Sequence, residues 1–133
     1  MQNIDKRLDD IWSQLVKAKA GNKCEVCGKT KSLNSHHIFS RANKATRWDV
    51  NNGICLCVGH HIGSKFSAHK TPLPFSDWLQ KERGENWYNL LLAKSRIIYK
   101  WHKFEKELLL KELQKELNKK DESKLTSRWK FCV

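Results

Sequence analysis

The sequence predicts an α+β fold that is mostly helical, with a small β-hairpin between an N-terminal helix and a long C-terminal helix. The helices are indicated by apolar residues that recur at three- and four-residue steps near both ends of the chain. The hairpin is indicated by residues 24–52, which are rich in Ser and Asn and lack helical periodicity. With 133 residues, the chain has room for one compact domain and extensions.

The first helix is predicted for residues 4–20, where the apolar positions share one face and Gly21 ends the pattern. These positions are Ile4, Leu8, Ile11, Trp12, Leu15 and Val16. We interpret this face as part of the core. The hairpin follows, with a strand around 35–39, a long loop and a second strand around 53–57.

The rest of the chain is predicted to be helical. A helix can run from 57 to about 68, although Gly63 and Ser64 weaken it, and a short helix is predicted for 75–83. An apolar stripe over 87–117 predicts one long helix that packs on its own domain or on a second copy or protein partner. The predicted divisions are a domain at 1–95 with its core at 24–69, an extended helix at 96–120, and a tail at 121–133 reached through a solvated linker from Asn118.

Charge and cysteine content narrow the class of protein. The 26 Lys and Arg residues outnumber the 14 Asp and Glu residues, and the net charge of +12 indicates a polyanionic partner, most commonly nucleic acid, or else a solvated basic surface. No secretory signal or apolar run of membrane-spanning length is present, so we expect no membrane partner and a cytoplasmic location. Five cysteines, four of them in closely spaced pairs, indicate a metal site rather than disulfides.

The pair Cys24 and Cys27 has the two-residue spacing of a zinc knuckle, and the glycine that follows permits the tight turn. Cys57 and His60 repeat this spacing and form the preferred second half of a structural Zn²⁺ site. An alternative second half is Cys55 with Cys57, since residues two apart on a strand share a face. The competing interpretation of the quartet is that its cysteines are unrelated buried thiols. Cys132 is expected to be a free thiol.

Two adjacent histidines on a strand point to opposite faces, so His36 and His37 are expected to differ in role. If His36 turns toward the following segment, it can share a divalent ion with His61. His37 is then free to act as a general base, because an imidazole titrates near neutral pH. The side chain of Asn52 can tie across the long loop and hold the backbone around His37.

The motifs Cys24-x-x-Cys27, His36-His37-Ile38, Asp49-x-x-Asn52 and Leu56-Cys57-x-x-His60-His61 occur in this order. This order resembles the HNH endonucleases, also called ββα-metal or His-Me finger nucleases, in their zinc-knuckle form, and particularly small phage-encoded members. The resemblance covers about residues 8–95 and is most specific at 24–69. It implies that His36 and His61 bind a catalytic metal, that His37 is the general base, and that Asn52 is the middle residue of the motif name.

The sequence departs from that family at two positions. Many members have Asp where His36 stands, and the double His is instead similar to the colicin-type nucleases. Those carry a further His ligand one helical turn after the last His, where this chain has Lys65. His69 is the next candidate, yet eight residues of straight helix would place it about 12 Å from His61 unless Gly63 and Ser64 break the helix. Similarity to phage sequences with a His shortly before a Pro favours His69 as a ligand over a phosphate contact or a packing role.

The resemblance therefore implies a metal-dependent phage-type DNA endonuclease, acting in the cytoplasm of a bacterial host. It would carry a structural Zn²⁺ and one catalytic divalent ion, Mg²⁺, Mn²⁺, Ni²⁺ or Zn²⁺. For DNA contacts, Arg41, Lys44 and Arg47 lie in the loop between the strands, and a second basic row is formed by Arg96, Lys100 and Lys103. Two alternatives are a non-catalytic zinc-containing DNA-binding accessory protein of phage recombination or packaging, and an interaction protein that uses its C-terminal helix.

Overall fold

The protein is described by a computed structural model that covers the backbone of residues 3–130 and the side chains of residues 3–122. It is an α+β structure, mostly helical, with one two-stranded sheet. In chain order its elements are α1 (Ile4–Lys19), β1 (Leu33–His37), a 3₁₀ turn (Val50–Asn52), β2 (Gly53–Cys57), a π-helical turn (Gly59–Gly63), α2 (Pro72–Arg83), α3 (Glu85–Ser95) and α4 (Lys103–Lys130).

Helix α1 confirms the prediction for residues 4–20. It begins after Asn3, whose side-chain oxygen accepts a hydrogen bond from the backbone N–H of Asp5 at 3.0 Å. It ends just before Gly21, which has a φ of +68°. Five of the six predicted apolar positions are buried, and Ile4 packs at the edge of the same core. The face predicted from sequence is therefore the face that α1 buries.

Strands β1 and β2 form an antiparallel hairpin whose register pairs Leu33 with Cys57 and His37 with Gly53. The second strand lies where it was predicted, and the first begins two residues earlier. All five residues of β2 are buried, because helices cover both of its faces. Cys55 packs among residues of α1 and α4, whereas Ile54 and Leu56 pack in a second cluster with α2.

A glycine is required where α1 crosses the start of β2. A Cβ atom at Gly53 would overlap Cγ2 of Val16 and lie 2.8 Å from Cζ2 of Trp12. Any side chain at this position would therefore push α1 away from the hairpin. This close approach matters for the site, because the ring of Trp12 stacks on the ring of His37.

The segment after β2 differs from the predicted helix to about residue 68. Only the π-helical turn Gly59–Gly63 forms, and Ser64 is extended with φ −91° and ψ 171°. The chain then doubles back, so that the N–H of Ala68 donates to the carbonyl of His60 at 2.9 Å and that of His69 to the carbonyl of His61 at 3.1 Å. Gly63 and Ser64, both poor helix formers, lie at the break.

Helix α2 begins at Pro72, three residues before the predicted start. Proline is favoured at this position because N–H groups in the first turn have no partner within the helix, so the missing N–H of proline costs nothing there. The prediction of one helix over 87–117 is wrong in its middle, and that of an extended helix at 96–120 is wrong at both ends. Residues 96–102 are not helical, and α4 runs on to Lys130 through the predicted linker. Glu105 favours the new start by accepting the N–H of His102 at 3.2 Å. The Lys and Glu residues of the predicted linker are good helix formers.

Helix α4 packs on α1, which confirms that its apolar stripe belongs to its own domain. Leu113 is buried in the cluster formed by α1, and Leu109, Leu110 and Leu117 pack against it. An ion pair between Lys106 and Asp5, with N···O at 2.7 Å, joins the same two helices. Within the described residues, no helix has the length and apolar character needed to cross a membrane. Residues 131–133, with Cys132, and the side chain of Trp129 lie outside the described residues.

Candidate metal centres and active groove

The first candidate centre brings together three thiols and one imidazole, from Cys24, Cys27, Cys57 and His60. Their ligand atoms all lie within 4.8 Å of one another. The Sγ atoms of Cys27 and Cys57 are 3.8 Å apart, and Nδ1 of His60 is 3.7 Å from Sγ of Cys24 and 3.3 Å from Sγ of Cys57. A tetrahedral Zn²⁺ with ordinary bond lengths would hold its sulfurs about 3.8 Å apart and S and N about 3.6 Å apart. The four residues fit a structural zinc ion.

Backbone hydrogen bonds join the knuckle to β2. Gly28 has a φ of +77° and its N–H donates to the carbonyl of Cys24 at 2.8 Å, which closes the turn beneath the two thiols. The N–H of Glu25 donates to the carbonyl of Cys55 at 2.9 Å, and a carboxylate oxygen of Glu25 accepts the N–H of Cys55 at 2.8 Å. The first two ligands are therefore fixed against the strand that carries the third.

The pKa values of Cys24 and Cys55 are shifted in opposite directions. Burial opposes ionisation of Cys24, but backbone hydrogen bonds from Cys57, Cys27 and Val26 outweigh it and lower its pKa to about 6. Cys55 is fully buried, and burial raises its pKa to about 11. Cys55 is not part of the quartet, so the alternative pairing of Cys55 with Cys57 is not the one that the structure forms.

The second candidate centre consists of His36, His61 and His69, whose ligand nitrogens lie within 4.8 Å of one another. The Nε2 atoms of His61 and His69 are 3.1 Å apart, and the ring of His36 lies 5.1 Å from each of the other two rings, centroid to centroid. Two nitrogens that share an ion in neighbouring positions lie about 3.0–3.5 Å apart. The chain reverses direction after Ser64, which brings His69 next to His61. The separation of about 12 Å expected for a straight helix therefore does not occur.

The chemistry of these three residues also fits a metal. Burial, followed by the neighbouring histidines, lowers the pKa of His36 to about 4, and burial lowers the pKa of His61 as well. Both are therefore neutral at pH 7, which is the form that binds an ion. Nδ1 of His61 is buried and has no hydrogen-bond partner within the described side chains. Imidazoles without carboxylates suit Zn²⁺ or Ni²⁺ more than Mn²⁺, Ca²⁺ or Mg²⁺.

His37 points to the opposite face of β1 from His36, as predicted. Its ring stacks on the indole of Trp12, with centroids 3.7 Å apart and planes 7° apart. Its Nε2 lies 2.9 Å from the carbonyl oxygen of Arg47. A carbonyl only accepts, so the neutral ring carries its proton on Nε2 and Nδ1 has a free lone pair. Burial lowers the pKa of His37, although the Arg47 hydrogen bond and the Asp9 charge act in the other direction.

Asn52 is fully buried and holds the long loop in place. Its Oδ1 accepts the N–H of Phe39 at 2.7 Å, and its Nδ2 donates to the carbonyls of Phe39 at 3.0 Å and Thr46 at 3.1 Å. The backbone carbonyl of Asn52 also accepts the N–H of Ile38 at 2.9 Å. The loop is thereby tied to Asn52 at Phe39 and at Thr46, the residue before the Arg47 carbonyl that binds His37.

Arg47 has a partner that the sequence prediction of a DNA contact did not include. Its guanidinium binds both carboxylate oxygens of Asp9, at 3.1 and 2.8 Å, and only 14% of its side chain is exposed. Burial raises the pKa of Asp9, but hydrogen bonds from Arg47 and Trp48 outweigh this effect and hold it below its usual range. Arg47 therefore serves within the chain, whereas Arg41 and Lys44 are exposed.

One groove of about 700 Å³ collects these groups. It is lined by the three histidines of the second centre, by His37, and by Arg41 and Asp9 among others. An imidazole with a free ring nitrogen, a cluster able to hold a divalent ion and an exposed arginine therefore line the same groove. This arrangement is able to activate water beside an anionic group.

Asp9 and Trp12 are site residues that the sequence alone did not reveal. Trp12 was predicted to be core and Asp9 was not singled out. Trp12 contacts His37, which lies 25 positions away, and Asp9 contacts Arg47, which lies 38 positions away. No local spacing in the sequence encodes such pairs. The only sequence signal was an indole on the apolar face of an otherwise aliphatic helix.

No protein-family model, curated protein or solved structure matches this chain. The functional conclusion therefore rests on the residues of the groove and their chemistry.

Proposed function

We propose that the protein is a metal-dependent DNA endonuclease of the HNH class, in which the hairpin and the turn after it form a ββα-metal core. The observation that carries this proposal is the placement of His37, with Nδ1 free and Nε2 bonded to the Arg47 carbonyl, in the groove that the three other histidines line. A binding protein has no need for an imidazole held in one tautomer beside a metal site.

In the proposed reaction, Nδ1 of His37 takes a proton from the water that attacks the scissile phosphorus. Nε2 retains its proton, which it donates in a hydrogen bond to the Arg47 carbonyl. The ring therefore stays oriented while it becomes charged. The charge of the Asp9 carboxylate favours the protonated form of His37, whereas the charges of Arg41 and Arg47 oppose it. Trp12 fixes the plane of the ring, and Asn52 fixes the loop that supplies the carbonyl.

A divalent ion bound by His36, His61 and His69 would stabilise the charge that develops on the phosphate and on the leaving 3′ oxygen. The products would be a 5′ phosphate and a 3′ hydroxyl. A zinc ion bound by Cys24, Cys27, Cys57 and His60 would act structurally, because all four ligands come from the protein and leave no position for substrate.

DNA is the proposed substrate because of the charge of +12 and the position of the exposed cations. Arg41 lines the groove, and Lys44 lies three residues further along the same loop. They are the proposed phosphate contacts nearest the site. Arg47 is left out, since a contact with phosphate would require breaking its ion pair with Asp9.

The test is nicking of supercoiled plasmid by the zinc-loaded protein, with Mg²⁺, Mn²⁺ or Ni²⁺ added. We expect metal-dependent nicking that falls by about 10²–10⁴-fold in His37→Ala. Asn89→Ala is the control, because Asn89 is exposed on α3 and does not line the groove. Nicking that survives His37→Ala would remove His37 as the base. Absence of nicking with every metal, in protein that still binds DNA, would instead favour a non-catalytic DNA-binding protein.

A further inference from the structure

Residues 96–102, which connect α3 to α4, form an exposed non-helical segment that we call the α3–α4 linker. Ile98 is fully exposed, at 101%, and Ile97 is 57% exposed. Arg96 and Lys100 flank these two isoleucines and are exposed as well. Adjacent large apolar side chains between two cations form a surface that water solvates poorly.

The linker is fixed to the loop that carries Arg41 and Lys44. Nδ2 of Asn43 donates to the carbonyl of Ser95 at 2.7 Å, and Nε1 of Trp101 donates to the carbonyl of Lys44 at 2.9 Å. The ring of Trp101 also lies 5.5 Å from the buried ring of Trp48, centroid to centroid. The linker and the proposed DNA-contacting loop therefore hold a set position relative to each other.

The charges of the linker favour an anionic occupant. Within the described side chains, Arg96 and Lys100 form no ion pair, although other surface cations do. The nearest acid in sequence, Glu105, is engaged by the Tyr99 hydroxyl and by the N–H of His102. A second copy of the chain would place the same cations face to face, which disfavours self-association through this surface.

We propose that the α3–α4 linker is a second DNA-contacting element, in which Arg96 and Lys100 bind backbone phosphates and Ile98 inserts as a wedge between base pairs. This inference rests on the proposed function, because it takes duplex DNA as the partner. Exposed aliphatic side chains flanked by cations are used in this way by proteins that bend DNA at the minor groove. Bending toward the linker would bring the duplex into contact with both the linker and the groove.

The phosphate contacts are tested by the salt dependence of binding to a fluorescent DNA duplex. The protein is the full zinc-loaded chain carrying His37→Ala, so that cleavage does not interfere. The double variant Arg96→Ala, Lys100→Ala should lower the slope of log affinity against log salt by about 2, since each phosphate contact contributes about 0.9. The matched control removes two exposed cations of α4, Lys111→Ala and Lys115→Ala. An equal slope change in both double variants would overturn the phosphate assignment.

The wedge is tested with duplexes that carry 2-aminopurine, whose fluorescence rises when a base step unstacks. We expect a rise on binding that is lost in Ile98→Ser, together with about a tenfold loss of affinity. Leu73→Ser is the control, because Leu73 is 83% exposed and lies on α2. No rise with the parent protein, or an equal loss in the control, would overturn the wedge.

These measurements separate the two proposals. Tight binding with the expected linker effects but no nicking by the chain without His37→Ala contradicts the nuclease and leaves the linker assignment standing. Nicking by a protein whose binding does not depend on the linker contradicts the linker assignment alone. Absence of DNA binding contradicts both.

Discussion

The indole of Trp12 lies flat against the imidazole of His37, with 3.7 Å between ring centroids and 7° between planes. Nε1 of Trp12 donates to the carbonyl of Asp49 at 2.8 Å, so the indole is itself held by the loop that binds His37. Helix α1 thus contributes directly to the orientation of the proposed base. The histidine is fixed by a stack on one side and by the Arg47 carbonyl at its edge.

The first prediction concerns the tautomer of His37. Long-range ¹H–¹⁵N NMR spectra at neutral pH should show a protonated Nε2 and a bare Nδ1, because only a donor can bond the Arg47 carbonyl.

Trp12→Leu, which removes the stack, should reduce nicking by roughly tenfold or more relative to Trp12→Phe, which keeps a ring. Equal nicking by the two variants, at equal folded fraction, would show that the stack does not orient the base.

The second prediction concerns the Cys3His centre. The purified chain should contain one tightly bound zinc, and Cys27→Ser should lose it together with much of its thermal stability, because metal binding supplies folding free energy. Metal content by mass spectrometry and the Tm are the measurements. Cys55→Ala is the control and should retain the zinc, since Cys55 lies outside the quartet. Loss of zinc from both variants would contradict the ligand set.

The third prediction concerns the second centre. His69→Ala should weaken binding of Ni²⁺ or Mn²⁺ beyond the roughly 10–100-fold cost of losing a residue that only supports a ligand. The structural zinc should remain bound. Titration calorimetry on zinc-loaded protein measures the affinity, with His102→Ala as the control. An unchanged affinity in His69→Ala would assign that imidazole to packing or to a phosphate contact.

The fourth prediction concerns pH and the ion pair of Asp9. The pKa of Asp9 is lower in the folded chain than in the unfolded one, so the pair stabilises the fold above about pH 4 and loses this effect as the pH falls through the lowered pKa. Asp9→Asn should lower the free energy of unfolding at pH 7 by about 1–3 kcal/mol, and the difference should narrow below about pH 4.

Urea unfolding at several pH values measures the effect of Asp9→Asn. Asp77→Asn is the matched control, because the ion pair of Asp77 with Lys81 has side chains that are 68% and 78% exposed. Such a surface pair contributes about 0.5 kcal/mol or less. A difference in stability between the parent protein and the Asp9→Asn variant that does not depend on pH would show that the effect arises from packing and not from charge.

The fifth prediction concerns the crossing of α1 and β2. Gly53→Ala should lower the free energy of unfolding by about 1–3 kcal/mol, because the added methyl group meets Val16 and Trp12 in the core. Gly63→Ala is the control, since its new Cβ would make only an ordinary contact, 3.7 Å from the carbonyl of Val58. Equal stability of the two variants in urea would indicate that the helix shifts at no cost.

Much of the architecture followed from local patterns in the sequence. Apolar periodicity and Gly21 placed α1, and the loss of helical periodicity placed the hairpin. The two-residue spacing of Cys24 with Cys27 and of Cys57 with His60 selected the metal quartet that the structure assembles. These features succeed because each depends on residues a few positions apart. The break of the stripe over 87–117 into two helices did not follow, and at this break Trp101 packs against the distant Trp48.

The sequence by itself determined the chemical character of the site, since four histidines and an asparagine in that order limit what the groove can bind. Only the tertiary structure decided how those groups are used. It brought His69 to His61 by reversing the chain at Ser64, directed Arg47 to Asp9 instead of to solvent, and placed Trp12 against His37. Contacts between residues 8 to 38 positions apart depend on how the packed elements meet, and no local spacing encodes that.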